Sequence, residues 1–244
     1  MRRVILALPR YGLALAILSG VTAMIAGLGS RWGWWHFGVG FVILKWGVYV
    51  GLLGALASLI GLGVSVARHS RLDVLVSIVG FGVAVMAVSG PLTGMAAAKR
   101  LPFIHDITTD TENPPRFVAI LPLRQNAPNS SEYGGPEVAA QQRAGYPDLG
   151  PATLSAPPDH AFEQALRAAR GMGWQIVDAN ASEGRIEAPD TTFWFGFQDD
   201  IVIRVAATSG GSRIDVRSVS RVGRSDVGTN AKRIRCYLKR LTRG

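Results

Sequence analysis

Apolar and polar positions divide this chain near residue 100. Three apolar runs fill the first part. One extends from Tyr11 to Gly29 without a charge, one from about Val39 to Ala67 broken only by Lys45, and one from about Leu72 to Ala98 with Pro91 late in it. A helix that crosses a bilayer needs roughly 20 apolar residues, so each run predicts a transmembrane helix, with spans at about 11–29, 39–67 and 72–98. Arg2 and Arg3 ahead of the first run also fit a cleaved leader. Met24-Ile25-Ala26 is a poor cleavage site, however, and two further spans follow, so the first run is read as a retained helix.

Beyond Leu101 the pattern changes. Residues 101–155 are rich in Pro, Asn, Ser and Gly, show no clear period, and read as a long irregular connection with Pro114-Pro115 and Asn129-Ser130-Ser131 as breakers. Such a length is uncommon unless the segment is functional or packs along a domain. From Ser155 periods return. Pro157 and Pro158 open a helix on which Phe162, Ala165, Leu166, Ala169 and Met172 share a face, and Gly171 and Gly173 close it. Strands are predicted at Trp174–Asp178 and Arg185–Ala188 around a Ser182-Glu183-Gly184 turn. Thr191–Gln198 alternates, with Phe193, Phe195 and Phe197 on one face. Asp199-Asp200 then predicts a turn into a strand at Ile201–Ala207, and Gly210-Gly211 a turn into Arg213–Ser220. A last helix runs from about Thr229 to Leu241 on the stripe Ile234, Leu238, Leu241. The expected fold is an α-helical membrane region of three transmembrane helices (1–100), followed by an α+β soluble domain with an antiparallel sheet and flanking helices (101–244).

Charge adds an orientation. The net charge of +9 resides mainly in residues 1–100, which hold nine Lys or Arg and one acid, Asp73. A nucleic-acid partner is therefore not expected, because the basic excess lies in the apolar part rather than on a soluble face. Arg2, Arg3 and Arg10 before the first span, and Arg68 and Arg71 in the second loop, set five charges on the cytoplasmic side against three, Arg31, Lys99 and Arg100. The soluble domain of this multi-pass chain is then expected on the outer side of the membrane. Trp32, Trp34 and Trp35 in the first loop suit the headgroup level, and Lys45 can snorkel to the same interface. Gly47, Gly51, Ala55 and Gly90, Gly94, Ala98 recur every fourth position, which suits packing among the spans and would also allow an oligomer. The single cysteine, Cys236, excludes an intrachain disulfide framework, and nothing in the pattern calls for a cofactor.

Two clusters carry candidate chemistry. His105, Asp106 and Asp110 are acid–base and metal-ligand types close in sequence, although no second His or Cys completes a metal-site spacing. Their alternative role is structural, with the aspartates capping turns. The second cluster is Ser218–Arg235, a strand running through a glycine-bearing loop into a helix, with Arg221, Arg224, Asp226, Asn230 and Arg233. Helix N-terminal N–H groups and guanidinium forks suit an anion such as a phosphate, a phospholipid headgroup or a carboxylate. The spacing matches neither a P-loop nor a hydrolase nucleophile elbow. Its alternative is internal pairing of Asp226 with Arg221 or Arg224, and capping by Thr229 or Asn230. Residues 213–244 also carry ten basic and two acidic side chains, against seven and fourteen in 101–212, so the two parts of the domain can pair with each other.

The stretch Ile104–Phe117, the segment Gln141-Gln142-Arg143-Ala144-Gly145-Tyr146-Pro147-Asp148 and the run Ser220–Arg235 together resemble the uncharacterised family known as domain of unknown function 1499. The resemblance covers about residues 103–242. It implies that the irregular 101–155 segment is part of the domain, and that Asp106, Asp110, Arg221, Asp226, Asn230 and Arg233 are a shared feature. It implies no activity and supplies no catalytic residue. The leading expectation is binding of an anionic envelope component or a partner protein at the membrane surface. A metal-assisted hydrolase of an envelope lipid or glycan, centred on His105, Asp106 and Asp110, and a structural assembly subunit are the alternatives.

Overall fold

The computed structural model describes residues 2–243, with side chains from Val4 onward. The charges of Arg2 and Arg3, two of the five that set the expected orientation, lie outside the described side chains. The chain separates into two compact units, Met1–Ala96 with Phe193–Gly196, and Ala97–Thr192 with Phe197–Gly244.

The first unit holds α1 (Arg2–Arg31), α2 (Phe37–Ala67) and most of α3 (Arg71–Arg100). All three are long and apolar enough to cross a membrane. Their contacts are made by small residues. Pro9, Gly12, Ala16, Ser19 and Ala26 of α1 are buried, as are Gly47, Gly51, Gly54, Ser58, Gly61 and Ser65 of α2. Steps of three and four keep a seam on one side of each helix, and the absence of large side chains lets the backbones approach. A Cβ at Gly54 would lie 2.9 Å from Ala16 N, and one at Gly61 would lie 2.9 Å from Pro9 N. Ser19 donates to Gly47 O at 2.7 Å across this seam.

The predicted fourth-position rows are corrected here. The α2 seam passes through Gly54 and Ser58 rather than Ala55, because a three–four alternation follows the helix turn more closely than a strict four. Gly90 and Gly94 have no atom within 4 Å of a built Cβ, so that row packs no span of this chain. α3 buries Ser77, Gly80, Ala84 and Val88 instead. His36 caps α2, its Nδ1 accepting from Gly38 N at 3.2 Å.

The first unit also includes the turn Phe193–Gly196. Trp194 Nε1–H donates to Ala23 O at 3.1 Å, and Gly27 leaves the room that its indole occupies. Phe195 is buried, its ring 4.9 Å from Phe41. The alternating Thr191–Gln198 segment is therefore not a strand. Trp194 and Phe195 leave the ladder to pack against the helices, while Phe193 is exposed.

The second unit is a six-stranded antiparallel sheet with helices against it. Its strands are β1 (Asp106–Thr108), β2 (Ala152–Leu154), β3 (Asp178–Asn180), β4 (Arg185–Thr191), β5 (Gln198–Thr208) and β6 (Gly211–Ser220), and its helices are α4 (Gly135–Gly145), α5 (Pro158–Gly171) and α6 (Thr229–Leu241). The spatial order is β1-β6-β5-β4-β3, with β2 beside β1 on the same edge of β6. Ile186, Ile201, Ile203, Ile214 and Val216 form the main core with Phe162, Ala165, Leu166, Ile234 and Tyr237 of α5 and α6. The expected irregular connection contains β1, α4, β2 and a short 3-10 turn at Leu121–Arg124.

Two strand predictions also change. Trp174 is a core residue ahead of β3, which begins only at Asp178. Asp199 and Asp200 make no turn, since both are buried inside β5 and paired with Ser220 and Val219 of β6.

Candidate functional site

β6 enters α6 through the loop Arg221–Gly228. Gly223, Val227 and Gly228 have positive φ, and at Val227, a β-branched residue, φ +51° is strained. Asp226 holds this shape. Its carboxylate accepts from Gly228 N at 3.0 Å and from Asn230 N at 2.6 Å, and its own N–H donates to Ile104 O. The first-turn donors of α6 that suit an external anion thus bind an internal one. Burial pushes the Asp226 carboxyl above its ordinary value, against the pull of those two N–H groups.

Three more of the anion candidates are also engaged internally. Arg221 forks onto Asp200 at 2.8–3.2 Å and reaches Gln198 Oε1 at 2.8 Å. Asp200 is completed by Arg124. Arg233 binds Asp199 at 2.6 Å and Asp190 at 2.8 Å. Asn230, with no exposed surface, donates to His105 O and Ser220 Oγ and accepts from Ser218 Oγ and Arg233. The predicted pairing of Asp226 with Arg221 or Arg224 is replaced by these longer-range pairs. Of the three arginines, Arg224 alone has no carboxylate partner among the described residues, and its guanidinium lies 5.5 Å over the exposed Phe103 ring.

The His105, Asp106 and Asp110 cluster comes apart in the fold. His105 and Asp106 stay side by side at the start of β1, but Asp110 lies beyond its end, and the two carboxylates meet different arginines. Asp106 receives two bonds from Arg217, at 2.9 and 2.7 Å, beneath the rings of Phe117 and Tyr133. Burial pushes the Asp106 carboxyl up, and Arg217 opposes the shift. Asp110 sits between Arg204 and Arg213 at 3.0 and 2.9 Å. Burial resists its charge, but the N–H groups of Asn113 and Glu112 and the two arginines together hold it below the usual carboxylate range. Among the described residues no group of three His, Cys, Asp or Glu is placed to share a metal ion, and His105, Asp106 and Asp110 do not converge on one point.

What the fold does assemble is a cleft of about 440 Å³ that joins the two sequence clusters. His105, Asp106 and Arg224 border it, together with Phe103, Asn129, Glu132, Glu137 and Gln141. The placement of α4 follows from Gln142, which is buried and mimics a strand neighbour for β1. Its Oε1 accepts from Thr108 N at 2.9 Å and its Nε2 donates to Thr108 O at 2.6 Å. With α4 fixed there, Glu137 and Gln141 share one face at a spacing of four and look into the cleft. Asn129 closes the far side, donating to Ser220 O and Gly223 O at 2.9 and 2.8 Å. Burial first, and then the nearby Asp106 charge, pushes the Tyr133 phenol up to about 12. Glu132 and Glu137 escaped the sequence reading because they lie in the segment that shows no period, and Gln141 entered it only as part of the family resemblance. The i, i+4 step from Glu137 to Gln141 was the available signal.

Residues 106–241, more than half of the chain, match the family described as protein of unknown function (DUF1499). The chain belongs to this family. No curated protein and no solved structure matches it. The DUF1499 region of this chain contains the Asp106–Arg217 pair, α4, Arg224 and the α6 cap. Phe103 and His105, which also border the cleft, precede it, as do the three apolar helices.

Proposed function

We propose that this chain is a multi-pass protein of a bacterial inner membrane whose DUF1499 domain is a periplasmic, non-enzymatic binding module for an envelope component carrying an anionic group. The observation that carries the reading is Arg224. Among the described residues it is the one arginine of the five-residue anion set left without a carboxylate partner, and it borders a cleft of ligand size beside His105. Arg221, Asp226, Asn230 and Arg233 act as scaffold, holding the loop that presents it. The orientation rests on the excess of basic residues before the first span and in the second loop. That Asp106 and Asp110 are bound to separate arginines favours binding over a hydrolytic centre at His105, Asp106 and Asp110.

Two experiments test this reading. The first is fusion of C-terminal reporters, one active only outside and one only in the cytoplasm. An outside signal is expected, and a cytoplasmic signal refutes the periplasmic placement. The second is titration of the full chain in nanodiscs with anionic probes, inorganic phosphate and O-phosphoethanolamine. Arg224→Gln is expected to weaken binding about tenfold or more, in line with loss of one charge-assisted contact. If neither probe binds, or if Arg224→Gln binds as tightly as the wild type, the cleft is not the binding site.

A further inference from the structure

The cleft is not simply basic. Glu132 and Glu137 border it, both exposed and without an ion-pair partner among the described residues, and they outnumber Arg224. Elsewhere in the domain acids near the sheet are matched one by one, as at Asp106, Asp110, Glu187, Asp199, Asp200 and Asp215. A simple anion at Arg224 would therefore bind within the field of two unneutralised carboxylates. A ligand that also carries a cation would convert that repulsion into attraction.

The walls fit such a ligand. Ile104, Pro128 and Val138 give part of the lining an apolar surface, beside the charged groups. Arg224 is held on one wall by the Phe103 ring. Glu137 stands in the first turn of α4, whose position is set by the Gln142 clamp on β1. The two charges are thus presented from separately anchored elements, which favours a ligand with its own two charges a short chain apart.

We infer that the cleft takes a small zwitterion of the phosphoethanolamine type, with its phosphate at Arg224 and its primary ammonium at Glu132 and Glu137. The inference rests on the binding reading above and adds the requirement for an ammonium group. That chemistry is shared by a phosphatidylethanolamine headgroup and by free or glycan-linked phosphoethanolamine.

The test uses the full chain in phosphatidylcholine nanodiscs, titrated separately with O-phosphoethanolamine, inorganic phosphate and ethanolamine. O-phosphoethanolamine is expected to bind at least tenfold more tightly than either half. The double variant Glu132→Gln, Glu137→Gln is expected to erase that preference and to bind inorganic phosphate at least as well as the wild type. Both positions are exposed, and unchanged thermal unfolding checks that the fold is intact. If inorganic phosphate binds as tightly as O-phosphoethanolamine, or if the double variant keeps the preference, the zwitterion is refuted while an Arg224-dependent anion site stands. If no probe binds, both readings fall. When O-phosphoethanolamine binds, nanodiscs containing phosphatidylethanolamine identify the source. Competition assigns the lipid headgroup and absence of competition assigns the free or glycan-linked form, and either result supports the inference.

Discussion

Replacing Glu187 by Gln tests how the face of the sheet opposite α5 and α6 is closed. Glu187 lies in β4 with no exposed surface. Its Oε1 accepts from Val118 N at 2.9 Å and Ala119 N at 3.2 Å, and its Oε2 accepts from Ile120 N at 2.9 Å. Arg185 supplies the countercharge. Three successive backbone donors thus converge on one carboxylate and pin the chain beside the small apolar cluster of Phe117, Ile120, Val202 and Val219. A glutamine keeps one acceptor oxygen, which can still serve two of the donors. Its amide nitrogen would face the third N–H, donor against donor, while Arg185 would keep Asp178 and Glu183 as partners. An unsatisfied buried donor costs about 1–3 kcal/mol. The expected loss is therefore about 1–3 kcal/mol, on the order of 5 °C in Tm for a unit of this size. Hydrogen exchange by mass spectrometry on the full chain reads the effect locally. Protection at residues 118–120 should fall by about one to two orders of magnitude, and more than at the β5–β6 pairs. A Tm within about 2 °C of wild type, with protection at 118–120 retained, would refute the account.

The first unit gives a paired test. Gly51→Leu should disrupt the α1–α2 seam, where a Cβ already falls 2.5 Å from Ser19 Oγ and Val88 Cγ1, whereas Gly90→Leu should be tolerated. Thermal unfolding in detergent compares the two, and equal effects would contradict the seam. Arg233→Met should destabilise the second unit by about 3–5 kcal/mol by leaving Asp199 buried without its cation. Adding Asp199→Asn should recover much of the loss in a double-mutant cycle, and no recovery would mean that the pair is not the cause. Asp110 supplies the pH dependence. Its folded-state pKa is lowered, so its contribution is present above the unfolded value of about 3.9 and is lost as pH falls through the folded one. Asp110→Asn should therefore flatten the acid limb of a stability–pH curve below about pH 4, and an unchanged limb would assign the acid sensitivity elsewhere.

Local pattern alone decided a good part of this protein. The three apolar runs specify helices long enough for a membrane because hydropathy measures the choice of solvent, which each segment makes by itself. α6 occupies the predicted Thr229–Leu241, and α5 runs from Pro158 to Gly171 as its opening prolines and closing glycines indicate, because stripe, cap and breaker all lie within a few residues. The α+β class followed from the same signals.

Only the tertiary structure settled the charged positions. Asp199-Asp200 has the composition of a turn, yet both residues lie inside β5, because Arg233, Arg221 and Arg124 arrive from remote parts of the chain to neutralise them. Phe193 and Phe195 alternate like strand residues and belong instead to a turn packed with the helices of the first unit. Of the anion set, Arg224 is distinguished from Arg221 and Arg233 by which carboxylates come within reach, and the glutamates of the cleft are brought there by the Gln142 clamp on β1. Hydrophobic period reports whether a position meets water or core. Which charge meets which depends on contacts between residues tens of positions apart, and those exist only once the sheet has formed.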